Sequence, residues 1–272
     1  MMNFKIGDYV TRKSHNNDIV FQIIKISGNE TFLKGIDVRL LADSDTDDLV
    51  KVVKKIDYYD NDRKLTESLV NSIALDRSEY FYLPGRILHI DSDNNYLERC
   101  IKFYTELKVE AYGINIEEEN LEHEIINKLA EYKPDILVIT GHDAYFKNKG
   151  DKKNLDNYKN SKNFVNAVKK AREYESSQEK LIIVAGACQS NYEELIKAGA
   201  NFASSPKRTN IHALDPAIIA SSVSLSEKNR SIDLITMLEK TKYKTDGMGG
   251  IITNGTMYVG FPRWIKRLLE KK

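Results

Sequence analysis

Residues 136–142 read Ile-Leu-Val-Ile-Thr-Gly-His, and residues 181–188 read Leu-Ile-Ile-Val-Ala-Gly-Ala-Cys. Consecutive aliphatic residues with no polar alternation do not suit a sheet with one wet face. They read as strands covered on both sides, as in a parallel sheet flanked by helices. Strands separated by single helices imply right-handed crossovers. Open sheets of this kind gather their chemistry at the carboxyl ends of the strands. The pattern therefore predicts that His142 and Cys188 emerge at one edge, on neighbouring strands. A thiol and an imidazole in one crevice are the minimum parts of a cysteine hydrolase.

The alternation of strand and helix begins after Pro84-Gly85. A strand is expected at 86–91, a helix at 95–107 with apolar residues at 97, 101, 104 and 107, and a strand at 110–116. A helix at 120–132 is stopped by Pro134, and a polar loop at 146–160 precedes another helix at 161–175. After Cys188, a helix at 192–198 closes on Gly199 and a short strand follows at 201–204. Helices near 214–222 and 231–241 then lead to a hairpin around 253–256.

Residues 4–55 read differently. Short alternating segments at 8–12, 19–26, 31–36 and 49–53 are separated by Gly7, Asn16-Asn17, Gly28-Asn29 and the acidic stretch 43–48. Such spacing predicts a small SH3-like β-barrel. The expected organisation is an SH3-like barrel domain over 1–56, a charged linker over 57–83 and an α/β domain over 84–272.

Composition narrows the function. The 41 Lys and Arg residues are balanced by 40 Asp and Glu, so no global field recruits nucleic acid or an anionic membrane. No apolar run approaches the roughly 20 residues of a membrane span, and no signal core follows Met1. Two cysteines form no disulfide framework and cannot alone supply a structural zinc site. The chain reads as cytoplasmic, in a reducing compartment.

The cysteines separate by position. Cys100 falls in the middle of a helix and reads as inert packing. Cys188 lies beyond its strand, next to Gly186 and Ala187, which let a substrate backbone approach, and before Gln189-Ser190, read as the start of a helix. A helix N-terminus would favour the thiolate. His142 would take its proton, and the adjacent Asp143 could orient the ring. His212 is a second, weaker candidate base at the same sheet end. His15 and His123 read as solvated, and His89 as a core or edge residue.

These residues carry a resemblance. A strand ending in histidine, one βα unit before a strand ending in Ala-Cys, resembles the caspase-like cysteine peptidases, whose histidine lies roughly 50 residues upstream of the cysteine. The stretches Lys5-Ile6-Gly7-Asp8-Tyr9-Val10, Ile139-Thr140-Gly141-His142-Asp143-Ala144-Tyr145, Ala185-Gly186-Ala187-Cys188-Gln189-Ser190 and Ala203-Ser204-Ser205-Pro206-Lys207-Arg208 are similar to the sporulation-specific YabG peptidase family of spore-forming Firmicutes. The likeness spans nearly the whole chain. It implies a caspase-like, mostly parallel sheet flanked by helices over 84–272. It also implies a cysteine endopeptidase with His142 and Cys188 as its dyad, trimming spore-coat and germination-related precursor proteins, preferentially after arginine. The implied setting is the cytoplasm of the sporulating cell, in association with the spore coat.

That chemistry needs no metal or organic cofactor. It does need an oxyanion donor beside the Cys188 amide, and Gly141 or Gly186 either supplies it or relaxes the turn. In caspase-like enzymes glycine usually follows the histidine, whereas here Gly141 precedes it and Asp143 follows. Cleavage after arginine requires a carboxylate in the pocket, because a buried guanidinium needs a paired partner. Asp91, Asp93, Asp215 and Asp246 lie on suitable loops, with Asp91 and Asp246 the leading candidates and Asp143 a further substrate-binding candidate. Asp91 and Asp93 could equally cap the helix that follows them.

Two other readings stand beside this one. Asp91 and Asp93, Asp143 and Lys207 are similar to a phospho-receiver domain, in which Asp143 would accept phosphate and Lys207 contact it. The barrel and the basic tail 263–272 could instead contact nucleic acid or a scaffold, although charge runs are usually solvated faces.

Overall fold

The computed structural model describes residues 4–52, 58–72, 75, 79–146 and 150–262. Five short strands come first: β1 (Tyr9–Arg12), β2 (Phe21–Ser27), β3 (Glu30–Gly35), β4 (Leu41–Asp45) and β5 (Leu49–Lys51). All their pairings are antiparallel, in the order β4-β3-β2-β1-β5. Alternation buries Val10, Phe21, Ile23, Leu33 and Leu49 in one small core.

The closed barrel expected from the sequence is not formed among the described residues, because the outer strands β4 and β5 do not pair. The acidic stretch read as a turn instead supplies most of β4. That strand has no fully buried residue and carries Asp43 and Asp45, which make it a stable open edge rather than a surface to close over.

Much of the expected linker is ordered. Helix α1 (Tyr58–Ser72) packs by Asp62, whose carboxylate takes two hydrogen bonds from Arg99, at 2.7 and 2.9 Å. This bidentate pair fixes a segment whose own helical pattern is weak. Strand β6 (Phe81–Leu83) then pairs far along the chain with residues 258–260.

The second sheet is built from the unalternating runs. Its elements are β7 (Ile87–Asp91), α2 (Asn94–Glu106), β8 (Ala111–Asn115), α3 (Leu121–Tyr132), β9 (Ile136–Thr140), α4 (Ser161–Tyr174), β10 (Ile182–Ala185), α5 (Tyr192–Ala198), β11 (Phe202–Ser204), α6 (Asp215–Ser224) and β12 (Met248–Gly250). The order is β12-β11-β10-β9-β7-β8, parallel except for β12. Side chains alternate between two cores. Ile136, Val138, Ile182 and Val184 meet α2 and α6, whereas Leu137, Ile139, Ile183 and Ala185 meet α3 and α4. Burial on both faces is why these runs carry no polar residues.

Near the end of the chain the expected hairpin at 253–256 is replaced by separate bridges from Asn254 to Ser231 and from Met257 to Glu227. The glycine-rich stretch ahead of it forms β12 instead, the antiparallel edge. The basic tail 263–272 lies outside the described residues.

The two sheets meet at the carboxyl edge of the parallel one. The loop between β3 and β4 reaches residues 211–213, where Val38 bridges His212 in antiparallel fashion. Arg39 N donates to Ile211 O at 3.1 Å and Ala213 N to Asp37 O at 3.0 Å.

Candidate active site

Strands β9 and β10 run in register, Ile139 opposite Ala185, so the residues after each leave the sheet at the same edge. His142 follows β9 and Cys188 follows β10, and the structure brings both to this edge. No hydrogen bond joins them among the described residues.

His142 is held from three sides. Its amide donates to Glu118 Oε1 at 2.8 Å and its carbonyl accepts from Asn160 Nδ2 at 2.8 Å. On the ring, Nε2 lies 3.0 Å from Asp93 Oδ2, while Nδ1 is buried with no partner. A carboxylate accepts only, so Nε2 carries the proton and Nδ1 keeps its basic lone pair in the neutral ring. Gly141 fits because a Cβ there would meet Glu118 Oε1 and Ser92 Oγ, each at 2.5 Å.

Asp93 is both cap and anchor. It accepts from Asn95 N and Tyr96 N at the start of α2, and it pairs with Lys34 of β3 at 2.6 Å. Burial pushes this carboxyl up, but the hydrogen bonds from His142 and Lys34 outweigh it and hold Asp93 at about 2.

Asp143 does not reach the ring it was expected to orient. Its Oδ2 accepts from Ser161 Oγ at 2.5 Å and Ser190 Oγ at 2.8 Å. Its Oδ1 accepts from the amides of Ala144 and Asn160, each at 2.8 Å. Ser190 in turn accepts from Ala187 N at 2.9 Å, so Asp143 braces the turn that carries Cys188. Both carboxylate oxygens of Asp143 are thus engaged, and the residue is 5% exposed.

Cys188 sits differently from the expectation drawn from sequence. Helix α5 starts at Tyr192, capped by Asn191, and Gln189 has φ 60°, so α5 does not begin at the cysteine. Cys188 is fully buried, and its Sγ accepts from Ile211 N at 3.2 Å. Burial pushes the thiol up to about 12, with the Ile211 amide opposing the shift only in part. Gly186 has φ 102° and donates its amide to Ile139 O at 3.0 Å. Its hydrogen is therefore spent in the sheet, and glycine serves the turn. The Cys188 amide donates no hydrogen bond among the described residues.

Asp91 ends β7 in full burial. Its Oδ2 accepts from Arg39 Nη1 at 2.5 Å and Thr140 Oγ1 at 2.8 Å, and its Oδ1 accepts from Asp93 N at 2.9 Å. Burial alone would raise this carboxyl, but the Arg39 charge holds it well below the usual carboxylate range. Asp246 is exposed, and its carbonyl accepts from Lys207 N and Thr209 Oγ1.

The remaining polar groups are bonded within the fold. His212 Nδ1 accepts from Leu214 N at 3.2 Å, and burial pushes the imidazole down to about 3. Asp215 accepts from His212 N and Lys242 N, each at 2.8 Å, and burial pushes it up to about 6. His89 is shared between Tyr104 and Thr140. Cys100 is buried and pushed up to about 12, as an inert packing thiol should be. The carboxylates of Glu117, Glu118 and Glu119 lie within 4.8 Å of one another, but Glu118 Oε1 is already taken by Ser92 and His142. No described helix is long and apolar enough to cross a membrane.

Sequence reasoning read Asp93 as a cap or a substrate contact and did not connect it to His142. The signal was present: a carboxylate after the first strand faces the end of the adjacent third strand.

A family model described as YabG peptidase U57 matches residues 5–262. The sporulation-specific protease YabG of Bacillus subtilis (strain 168) is 43% identical over 286 aligned positions, covering 96% of this chain and 99% of that protein.

Proposed function

The chain belongs to the YabG peptidase U57 family, and from that premise we propose that this sporulation protease is a cysteine endopeptidase acting through Cys188 and His142. One observation carries the reading. At the edge where both residues leave the sheet, the His142 ring is fixed through Nε2 by Asp93 and keeps an unpartnered basic Nδ1.

In this reading His142 Nδ1 takes the Cys188 proton, and the thiolate attacks the scissile carbonyl. The free Cys188 amide donates to the oxyanion, and Gly186 permits the turn that presents it. His142 then protonates the departing amine as the C–N bond breaks, which leaves a thioester. Water, deprotonated by His142, attacks the thioester, and the thiol leaves with the proton. Asp93 stabilises the transient imidazolium. A fully covered sulfur cannot meet a peptide, so the cover formed at Ile211 must move before attack.

For specificity, Asp91 is the carboxylate that best suits an arginine, being buried, ionised and already shaped around a guanidinium. Asp246 is too exposed to line a comparable pocket. The substrates on this reading are precursor proteins of the spore coat and germination machinery, and the domain is caspase-like. The enzyme works in the sporulating cell's cytoplasm, in association with the coat. The receiver reading finds no support, since the Asp143 carboxylate is already filled.

The test uses purified wild type, Cys188→Ala and His142→Ala with arginine-containing precursor proteins. Both variants should fold and cleave nothing. Retained proteolysis by either would reject the dyad.

A further inference from the structure

Arg39 is the largest fully buried side chain among the described residues, yet it sits on a hairpin loop, where side chains are normally solvated. Its guanidinium is bound on several sides. Nη1 meets Asp91 Oδ2 at 2.5 Å, Nε donates to Ala213 O at 3.1 Å, Nη2 approaches Cys100 Sγ at 3.5 Å, and the Tyr96 ring lies 4.9 Å from its carbon. A pocket with a buried carboxylate at its base and an aromatic wall is a receptacle for arginine.

The backbone of the same loop is bound as an extended peptide would be. Arg39 N donates to Ile211 O, and Asp37 O accepts from Ala213 N, the two bonds that flank an antiparallel bridge. Addition of a strand to an exposed edge gives affinity through the main chain, and a side-chain pocket beside it gives selectivity. Ile211 also ties this strand to the nucleophile, because its carbonyl holds the Arg39 amide while its own amide holds Cys188 Sγ at 3.2 Å. Main-chain pairing and the sulfur therefore converge on Ile211, and the arginine side chain is held two residues on, by Ala213 O.

From these contacts we infer that residues 211–213 and Asp91 form the recognition groove for an extended segment bearing arginine, and that the loop at 36–40 fills this groove with Arg39 as an internal substrate mimic. The chain described here is thus a self-capped form. Tyr96 secures the cap through its hydroxyl, which lies 2.6 Å from Gly35 O and 2.9 Å from Val38 O and shares its one hydrogen between them. Arg99 adds a bond from Nη1 to Ile36 O at 2.7 Å. Substrate enters only when the loop withdraws, which also releases Ile211, the residue bonded to Cys188 Sγ, from its tie to the Arg39 amide. The inference deepens the proposed function and rests on Cys188 being the nucleophile.

The probe is a short peptidyl chloromethyl ketone ending in arginine, compared with the same peptide ending in norleucine, on the full chain. Labelling of Cys188 is followed by intact mass, and hydrogen exchange is followed at residues 36–40. The arginyl reagent should label Cys188 and raise exchange in the loop at least about tenfold, leaving β9 and β10 unchanged, since a competing occupant must displace the loop. A labelled protein whose loop exchange is unchanged would overturn the proposal.

Arg39→Met supplies the second arm. It should be labelled at least about tenfold faster than wild type at equal folded fraction, because the competent state is no longer taxed by the cap. Equal rates, including no labelling of either protein, would overturn the proposal. Should Cys188→Ala retain proteolysis, the dyad reading falls instead, and the two failures are told apart by that control.

Discussion

His142 Nε2 lies 3.0 Å from Asp93 Oδ2, and this pair, rather than His142 with its neighbour Asp143, sets the ring's tautomer and direction. Asp93→Asn keeps the helix cap and the approximate shape but no longer fixes the proton on Nε2. It should lower kcat about 10- to 100-fold, the usual scale for an outer partner that orients a ligand or catalytic imidazole, with little change in KM. Asp93→Glu should restore part of the loss. An equal loss in KM and kcat, or no loss, would show that Asp93 serves only as a cap and a salt-bridge partner.

Much of this site was legible because period-free aliphatic runs leave few choices. Ile136 to Thr140 and Ile182 to Ala185 can only be doubly covered strands, so the residues that follow them share an edge. Local signals misled where long-range packing decided. Gln189 at φ 60° delays α5, and a thiol that local reasoning leaves activated is fully buried, with Ile211 N bonded to its sulfur. The contact of Arg39 with Ala213 spans 174 residues and leaves no periodic trace. Barrel closure failed for a similar reason, since alternation specifies which face of a strand is wet but not whether its edges meet.

Alkylation tests the covered thiol. With Cys188 and Cys100 both buried and pushed up to about 12, the thiol form dominates at pH 7 while the sulfurs are covered. Iodoacetamide should therefore react with native protein far more slowly than with a free cysteine peptide. Substrate-like peptides ending in arginine should accelerate modification at Cys188 and not at Cys100. Rapid modification of native protein without such a peptide would show that the sulfur is open in solution.

Acid stability should reflect His212 and Asp93 acting in the same direction. His212 falls to about 3 in the fold, so between about 6.5 and 3 the unfolded chain binds a proton that the native chain does not, and stability is lost as pH falls. Asp93, held at about 2, adds a loss between about 4 and 2. Asp215 opposes them: raised to about 6, it makes the native chain the better proton acceptor between about 6 and 4. Denaturant titrations should show His212→Gln flattening the decline between pH 6 and 3 relative to wild type, at about the cost of one lost hydrogen bond at pH 7. A decline of unchanged slope would place the proton elsewhere.

Asp143 is the position where the two accounts of the histidine diverge most. If it served the ring, Asp143→Asn would impair proton transfer while leaving the thiol's setting intact. The hydrogen bonds argue the reverse, because the carboxylate binds Ser161, Ser190 and two amides, and Ser190 reaches Ala187 next to the nucleophile. Replacing it with asparagine puts an amide donor opposite hydroxyl and amide donors, leaving buried groups unpaired at about 1–3 kcal/mol each. Asp143→Asn should therefore lower the melting temperature and loosen the turn at residues 186–190, raising hydrogen exchange at Ala187 and Ser190. The His142 resonance should keep the signature of a ring bonded to Asp93. Loss of that signature with an unperturbed turn would return Asp143 to the role of orienting the imidazole.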